Sequence, residues 1–470
     1  MKMAQMKKGL VEEIKTRPGA GNGLWVLFLL PLAVIMSYAK HPIIATPTYK
    51  LAALLCTGFI LTSCIIIYQK YELRRLKIVN LWTLLAVGAT SALFHICVHK
   101  GWTLSIASGI ASTLAYFKIY TSVLTKFKEC FTLGEAGLVS QSITMIFYFT
   151  AVKLVEIVAG NKKITSNMQV ATLIIQFELL CVGLIAWLSY IFLIKTPKRF
   201  YTMCFLIITF VFLLPLKMIT GEYPILWIIS LIDNIPTIKL MMYWSFCTGV
   251  AILSVSNQIF YAKKASTGKR KIFHILCVAV YIPGLLCKCS LLYLASGMLT
   301  GAFFFLEILR LLRMPPLGIH LHDGFVVFSD EKDTLVALTP IYLLVGCSIP
   351  IWIHPSPCDV TDSGLFNMIP LMSGLLAIGL GDTAASIVGS SCGRVHWPRS
   401  KKTFEGTIAC MLTQAGMVYL LAYLNFIYTL SHIELVKIGL SIIVSSIVEA
   451  KTSQVDNLVL PLITYIILMI

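Results

Sequence analysis

The segment at residues 379–406 collects the residue types that phosphoryl-transfer sites use. It opens with the sequence GLGDTAAS and closes with KKTFEG. The carboxylates of Asp382 and Glu405 can hold a divalent ion that bridges phosphates, and the ammonium groups of Lys401 and Lys402 can neutralise phosphate oxygens. This mixture of glycine, lysine and carboxylate is typical of a site for a polyphosphate and a metal ion.

The same segment also has a purely structural interpretation. Gly389 and Gly393 can expose backbone N–H groups to phosphate oxygens, but small residues at helix ends also allow helices to pack closely. A pair of lysines marks many cytoplasmic loops, and Asp382 could simply cap a helix that begins at Thr383. Composition alone leaves the two interpretations about equally supported. A P-loop is excluded, because the Gly-Lys pair before Arg270 is not followed by Ser or Thr.

The composition of the whole chain indicates which elements must position this segment. Its 470 residues are 58% hydrophobic and 13% charged, with a mean hydropathy of +0.85, which excludes a water-soluble multidomain enzyme. Apolar runs such as 51–68 and 240–261 are long enough to cross a bilayer as helices. We therefore predict an all-α, polytopic integral membrane protein with about 13–16 transmembrane helices.

Local features add detail to the predicted spans. The apolar run at 24–39 is predicted to be a retained span, and the runs at 201–219 and 223–234 are predicted to be separate spans. Pro283-Gly284 predicts a kink or a turn between two spans. The 14 Cys residues lack zinc-type spacing, so we expect them to be buried, small hydrophobic residues in a reducing compartment.

The net charge of +17 is distributed as short basic clusters between apolar runs. This pattern fits the positive-inside rule better than nucleic-acid binding, so no nucleic-acid partner is expected. Counting spans in the second half places four basic loops on one face: 262–271, 310–333, 382–406 and 450–456. The opposite loops, 353–362 and 431–434, have no Lys or Arg. We therefore predict that the four-loop face is cytoplasmic.

The segment at 379–406 resembles the signature of the dolichol kinase family, CTP-dependent polyprenol kinases of the endoplasmic reticulum. Further matching pieces follow the family's order: FTLGEA at 131–136, RKIFH at 270–274 with YIPG at 281–284, EILR at 307–310, and EAKTSQVDN at 449–457. The resemblance is specific from about residue 262 to the end and thin before residue 130. Phytol kinases and CTP-dependent diacylglycerol kinases share the signature more loosely.

The resemblance implies transfer of the γ-phosphoryl group of CTP to the terminal hydroxyl of dolichol, which gives dolichyl phosphate and CDP for protein glycosylation. It implies CTP and a divalent metal, expected to be Mg²⁺, as cofactors, and the bilayer and dolichol as partners. The expected location is the endoplasmic reticulum membrane, with the active site facing the cytoplasm. The catalytic region would be 262–470, with its CTP-binding loop at about 382–406, and 1–261 would be an N-terminal multi-span region.

The resemblance also assigns roles to individual residues. The expected catalytic residues are Asp382, Lys401, Lys402, Glu405 and Asp456. The expected metal ligands are Asp382, Glu405 and Asp456. The expected nucleotide-binding residues are Arg270, Lys271, His274, Gly381, Thr383, Ser386, Gly389, Gly393, Arg394, Trp397, Lys401, Lys402, Thr403, Glu405 and Gly406. Either Asp382 or Asp456 could accept the hydroxyl proton.

Several of these residues have structural alternatives. Glu405 could be a solvated loop charge, and Asp456 could cap the last span. Arg270 and Lys271 could be snorkelling anchors at a span mouth, and Trp397 could lie at the membrane interface.

Two further features and two other functions are relevant to the sequence. Glu307 and Arg310 are spaced i,i+3 and predict a structural ion pair, whereas Glu135 is only a weak candidate for the site. The other functions are a kinase for diacylglycerol or phytol and, with less support, a transporter. Transporters usually contain repeated halves, and this sequence shows no such repeat.

Overall fold

The computed structural model describes residues 14–73, 76–99, 101–160, 166–194, 196–232, 234–261, 267–328, 335–358, 368–398, 400–427 and 431–470. Within these ranges the elements are helices, and no β-strand occurs.

Fourteen α-helices precede residue 330 within the described part. They are α1 (Leu29–Lys40), α2 (Pro47–Tyr68), α3 (Leu81–Val98), α4 (Gly101–Ile110), α5 (Tyr116–Lys126), α6 (Leu133–Val158), α7 (Asn167–Ile191), α8 (Pro197–Ile207), α9 (Leu214–Thr220), α10 (Pro224–Ser230), α11 (Ile235–Tyr261), α12 (Thr267–Cys287), α13 (Cys289–Leu312) and α14 (Leu317–Phe328). A 3₁₀ turn at Leu24–Phe28 leads into α1.

The C-terminal part contains the helices that carry most of the predicted site residues. They are α15 (Leu338–Ile353), α16 (Thr383–Cys392), α17 (Phe404–Tyr423), α18 (His432–Lys451) and α19 (Asp456–Met469). Four π-helical segments connect or extend helices: Gln69–Leu73, Ala111–Ala115, Ile208–Leu213 and Leu375–Asp382.

Polar residues just before the first turn start many of these helices. The side chains of Asn80, Ser166 and Thr403 each accept a hydrogen bond from the first turn of α3, α7 and α17. Thr132 with Glu135, and Ser431 with Glu434, form reciprocal capping boxes. Such caps satisfy N–H groups that have no partner within the helix.

Ten helices among the described residues are long and apolar enough to cross a membrane, and three shorter apolar helices accompany them. The prediction of an all-α polytopic membrane protein is confirmed. All 14 Cys residues are free, and nine of them are buried. Cys64, Cys287 and Cys392 are exposed, so the prediction of buried Cys residues is wrong at these three positions.

The structure corrects several predicted boundaries. The predicted span at 223–234 contains only the seven-residue helix α10, which is too short to cross a bilayer. The predicted loop at 310–333 contains α14. The predicted loop at 382–406 is helical as far as Cys392, so its non-helical part begins at Gly393.

The chain does not turn at Pro283; α12 continues through it and ends at Cys287. Proline lacks an N–H group and therefore frees the carbonyl four residues earlier, which belongs to Ala279. The Tyr243 hydroxyl donates to that carbonyl at 3.1 Å. The Trp244 indole donates to the next carbonyl, that of Val280, also at 3.1 Å. These side chains of α11 satisfy the interrupted backbone, so the helix persists.

The N-terminal and C-terminal helices share one core. The largest apolar cluster combines residues of α1, α2, α5 and α6 with residues of α15 and α19. The hydroxyls of Ser37 and Tyr465 lie 2.9 Å apart, and Lys40 donates to the Leu468 carbonyl at 2.6 Å. The last helix, α19, is therefore held by helices from both ends of the chain. That residues 262–470 form the catalytic region and residues 1–261 a separate N-terminal region remains a prediction.

Candidate active site

Asp382 is the last residue of the π-helical segment Leu375–Asp382, which runs directly into α16. Glycines let neighbouring helices approach this segment closely. A Cβ at Gly379 would lie 2.4 Å from the Val278 side chain of α12, and one at Gly381 would lie 2.8 Å from Gln414 of α17. π-Helical geometry inside an α-helix is rare and frequent at functional sites. Asp382 is thus within a continuous helix, which excludes the predicted alternative of a helix N-cap.

Asp382 forms a buried ion pair with Lys271 of α12. His274 lies on the same face of α12, with its Nε2 3.6 Å from Asp382 Oδ2. All three residues are buried, and Asp382 is only 4% exposed. A buried carboxylate needs such partners because removing a charge from water is costly.

A second cluster of charges surrounds Lys402. Its ammonium group pairs with Glu449 at the end of α18 and lies 3.7 Å from Asp456 Oδ2 at the start of α19. Burial by itself would lower the pKa of Lys402, but the carboxylates of Asp456, Glu449 and Asp382 outweigh it and raise the pKa above the ordinary lysine value. Lys402 therefore remains an ammonium ion throughout the neutral range.

The two clusters form one site. The helices that carry Glu449 and Asp456, α18 and α19, both pack against the π-helical segment that ends at Asp382, and Lys402 is near enough for its charge to act on Asp382. Near these groups, two buried side-chain oxygens have no hydrogen-bond partner among the described residues: Glu449 Oε2 and Thr383 Oγ1. Buried polar atoms are nearly always partnered in folded proteins. Their concentration beside Asp382 and Lys402 marks a place suited to a polar ligand.

The donor set is compatible with Mg²⁺ held jointly with a substrate. The described residues contain no cluster of three or more His, Cys, Asp or Glu side chains that could hold a metal ion by themselves. Mg²⁺ commonly uses one or two carboxylates together with substrate phosphates and water. Asp382, Glu449 and Asp456 supply carboxylates of that kind, and the unpartnered oxygen of Glu449 fits a cation.

Glu405, a predicted metal ligand, is not brought to this cluster. Its Oε1 accepts hydrogen bonds from the backbone N–H groups of Arg394 and Val395, both at 3.1 Å. The carboxylate therefore fastens the start of the loop at 393–403 to the first turn of α17. Arg394 itself is exposed.

The glycines of the signature lie where α16 and α17 pack closely. A Cβ at Gly389 would meet Thr403 Oγ1 at 3.0 Å, and one at Gly393 would meet the Gly389 carbonyl at 2.3 Å. A Cβ at Gly406 would lie 2.8 Å from the Ala385 carbonyl. These glycines fit the structural alternative, in which small residues let helices pack closely. Their contact with phosphate stays a prediction.

The remaining predicted residues occupy different surroundings. Lys401 is exposed, whereas its neighbour Lys402 enters the charge cluster. Trp397 stacks on Phe404 with ring centroids 3.9 Å apart and donates to Thr407 Oγ1 at 2.9 Å. Ser386 of α16 and Arg270 of α12 are half-buried.

Glu449 was not among the predicted site residues, although it lies at the centre of the cluster and is 1% exposed. A signal existed: Glu449 ends an apolar span and lies seven residues before Asp456 in the EAKTSQVDN motif.

The predicted pair of Glu307 and Arg310 is present as a buried ion pair at 2.7 Å. It binds the backbone of Leu335 and Ala337, just before α15.

A family model described as dolichol kinase matches residues 110–330. The chain is 41% identical to the dolichol kinase of Mus musculus over 52% of this chain and 48% of that protein. It is 34% identical to that of Homo sapiens over 73% of this chain and 65% of that protein. No solved structure matches it.

The most extensive of these alignments is with the dolichol kinase of Bos taurus. It has 32% identity and covers 81% of this chain and 73% of that protein. The match with the mouse protein spans about half of that protein's length. Since the bovine alignment covers most of both proteins, the chain belongs to the dolichol kinase family.

Proposed function

We propose that this protein transfers the γ-phosphoryl group of CTP to the terminal hydroxyl of dolichol, giving dolichyl phosphate and CDP. The observation that carries the proposal is the group of charged residues in the candidate active site. Three acidic residues, Asp382, Glu449 and Asp456, lie with Lys271 and Lys402 where four distant parts of the chain meet. Family membership supports a nucleotide as phosphoryl donor and dolichol as acceptor.

Phosphoryl transfer depends mainly on positioning and on neutralising the charge of the phosphates. Lys402 would bind the β- and γ-phosphate oxygens, since its ammonium group is fixed by Glu449 and Asp456. Asp382, Glu449 and Asp456 are the candidate carboxylates for Mg²⁺. When bound, that ion would neutralise charge on the phosphates. Lys271 fixes the position of Asp382.

In the reaction, the dolichol oxygen forms a bond to the γ-phosphorus, and the bond from that phosphorus to the β–γ bridging oxygen breaks. CDP leaves with the bonding electrons, and the hydroxyl proton passes to a carboxylate. Asp456 is the better candidate to accept it. Its oxygen is 3.7 Å from Lys402, whereas Asp382 is paired tightly with Lys271.

We place this site on the cytoplasmic face of the endoplasmic reticulum membrane. Support for this placement comes from Lys271, Lys402 and Asp456, which belong to three of the loops that span counting assigns to one face. Lys402 lies 3.7 Å from Asp456, and Lys271 pairs with Asp382. The positive-inside rule then favours the cytoplasmic side, where CTP is available.

The test uses the purified full-length chain with γ-labelled CTP or ATP and, in separate reactions, dolichol, phytol or diacylglycerol. We expect label from CTP in the organic phase as dolichyl phosphate, and none with Asp382→Asn. Preferential labelling of phytol or diacylglycerol would replace the proposal with the related lipid kinases. Absence of labelled lipid with every acceptor would reject a kinase altogether.

A further inference from the structure

Two buried residues of the N-terminal part, Arg17 and Glu135, bind the connection between α18 and α19. Arg17 is 5% exposed and Glu135 is 0% exposed. Arg17 Nη2 donates to Glu135 Oε1 at 2.8 Å and to the Ser453 carbonyl at 3.1 Å. The same Glu135 oxygen accepts from the backbone N–H of Val455 at 2.8 Å.

Gln454, between these two contacts, is also bound by the N-terminal part. The Thr132 hydroxyl donates to Gln454 Oε1 at 2.6 Å, and Gln454 Nε2 donates to the Gly21 carbonyl at 2.9 Å. Gly23 has a φ of +62°, and a Cβ there would lie 2.1 Å from Gln454 Oε1. Ser453, Gln454 and Val455 are therefore each fixed by residues more than 300 positions away in the sequence.

This connection is flanked by two carboxylates of the candidate site. Glu449 precedes it in the last turn of α18, and Asp456 follows Val455 directly. Both face Lys402. Movement of the 453–455 backbone would change the distance from Asp456 to Lys402, because Asp456 is attached to the residue that Glu135 holds.

We infer that Arg17 and Glu135 are positioning residues of the phosphoryl-transfer site, which fix residues 453–455 so that Asp456 faces Lys402. The expected change in kcat rests on the proposed function. The positioning of Asp456 relative to Lys402 does not. It assigns a role to the N-terminal part, which reaches the site without contributing a group to the chemistry.

The kinetic test is a double-mutant cycle in the full-length chain. Glu135→Ala should lower kcat by about 10- to 100-fold per folded molecule, the usual effect of losing a partner that orients a functional group. Glu135→Gln keeps an oxygen for the Val455 N–H and should recover part of that loss. If Glu135 acts through Asp456, adding Glu135→Ala to Asp456→Asn should cause little further loss. Fully additive losses, or an unchanged kcat in Glu135→Ala, would overturn the inference.

A second measurement does not depend on activity. The rate at which an amine-acylating reagent modifies Lys402 is compared, by mass spectrometry, with that of exposed Lys401 in the same molecules. Glu135→Ala should raise the Lys402-to-Lys401 ratio several-fold, since a displaced Asp456 no longer holds the ammonium group. Glu434→Ala removes the capping box at the other end of α18 and should leave the ratio unchanged. An unchanged ratio in Glu135→Ala contradicts the inference.

The two measurements separate the two proposals. If the wild-type chain transfers no phosphate to any lipid, the proposed function fails, and the labelling ratio still decides whether Glu135 positions the site. If the wild type is active and neither kcat nor the ratio changes in Glu135→Ala, the function stands and the positioning role fails.

Discussion

Lys271 and Asp382, which are 111 positions apart in the sequence, form a buried ion pair between α12 and the end of a π-helical segment. Each is less than a tenth exposed. The pair connects the RKIFH motif to the Gly-Asp signature, two pieces that the sequence shows only as separate basic and acidic features. Lys271 is therefore not placed as a snorkelling anchor, because its ammonium group contacts a carboxylate within the protein.

Replacing Lys271 should therefore damage both stability and activity. Lys271→Met leaves Asp382 buried without its main partner, and breaking a buried pair commonly costs about 3–5 kcal/mol. We expect a lower thermal unfolding temperature and a large loss of dolichol phosphorylation. Thermal unfolding of the purified protein and the labelled-lipid assay measure the two effects. Lys271→Arg, which preserves the charge, is the control and should retain more stability than Lys271→Met.

Lys401 and Lys402 should differ sharply although they are neighbours. Lys402 is fixed between Glu449 and Asp456, so Lys402→Met should lower kcat/KM by about 100-fold or more, as expected for a group that stabilises developing charge. Lys401 is exposed, so its interactions with a nucleotide are weakened by water and salt. Lys401→Met should have a much smaller effect that diminishes at high salt.

Parallel kinetics of these two variants at low and high ionic strength provide the measurement. Equal losses in both variants would show that the two ammonium groups act together on the phosphates. That result would contradict the prediction that Lys402, and not Lys401, is the main phosphate-binding lysine.

Glu449 should prove as important as Asp382. Glu449→Gln keeps the size of the side chain and removes the charge that faces Lys402. Because its second oxygen has no hydrogen-bond partner, we expect this oxygen to face the metal. The variant should need a higher Mg²⁺ concentration for half-maximal activity, by about 10-fold or more. Titration of activity with Mg²⁺ at saturating CTP tests this, and an unchanged requirement would exclude Glu449 as a ligand.

The sequence predicted most of the helices because apolar runs are local features. It also singled out Asp382, Lys402 and Asp456, which form buried or partly buried ion pairs in the structure, since an Asp or a Lys beside a membrane span is uncommon. It could not show that Glu449 pairs with Lys402, because that pairing depends on how α18 and α19 meet the loop before α17. It also could not show that α12 passes through Pro283, since Tyr243 of another helix satisfies the freed Ala279 carbonyl and Trp244 donates to the next one.

The contacts of Arg17 and Glu135 show the same limit over a longer distance. Glu135 lies in the FTLGEA motif, but its partner Val455 is 320 positions away. Arg17 has no feature in the sequence that distinguishes it from other basic residues near the N-terminus. Local patterns predict elements and rare charges, whereas the partners of buried charges are determined by the tertiary packing.

The contacts of Glu405 in the structure differ from the role that its sequence motif predicts. The sequence predicts a metal ligand, but the Glu405 carboxylate binds the backbone N–H groups of Arg394 and Val395 at 3.1 Å each. Its removal should loosen the loop at 393–403 and leave the carboxylates around Lys402 in place. Glu405→Ala should therefore raise KM for CTP by about 10-fold, with a smaller change in kcat, because the carboxylate orders the predicted CTP-binding loop and does not face Lys402.

The Mg²⁺ requirement separates the two roles of Glu405. If the carboxylate only orders the loop, Glu405→Ala should have the same Mg²⁺ dependence as the wild type at saturating CTP. A metal ligand would instead shift that dependence, as expected for Glu449→Gln measured alongside it. Glu405→Gln keeps one acceptor oxygen for the loop N–H groups and should bring KM back towards the wild-type value. That recovery is not expected if the negative charge itself is required to hold the ion.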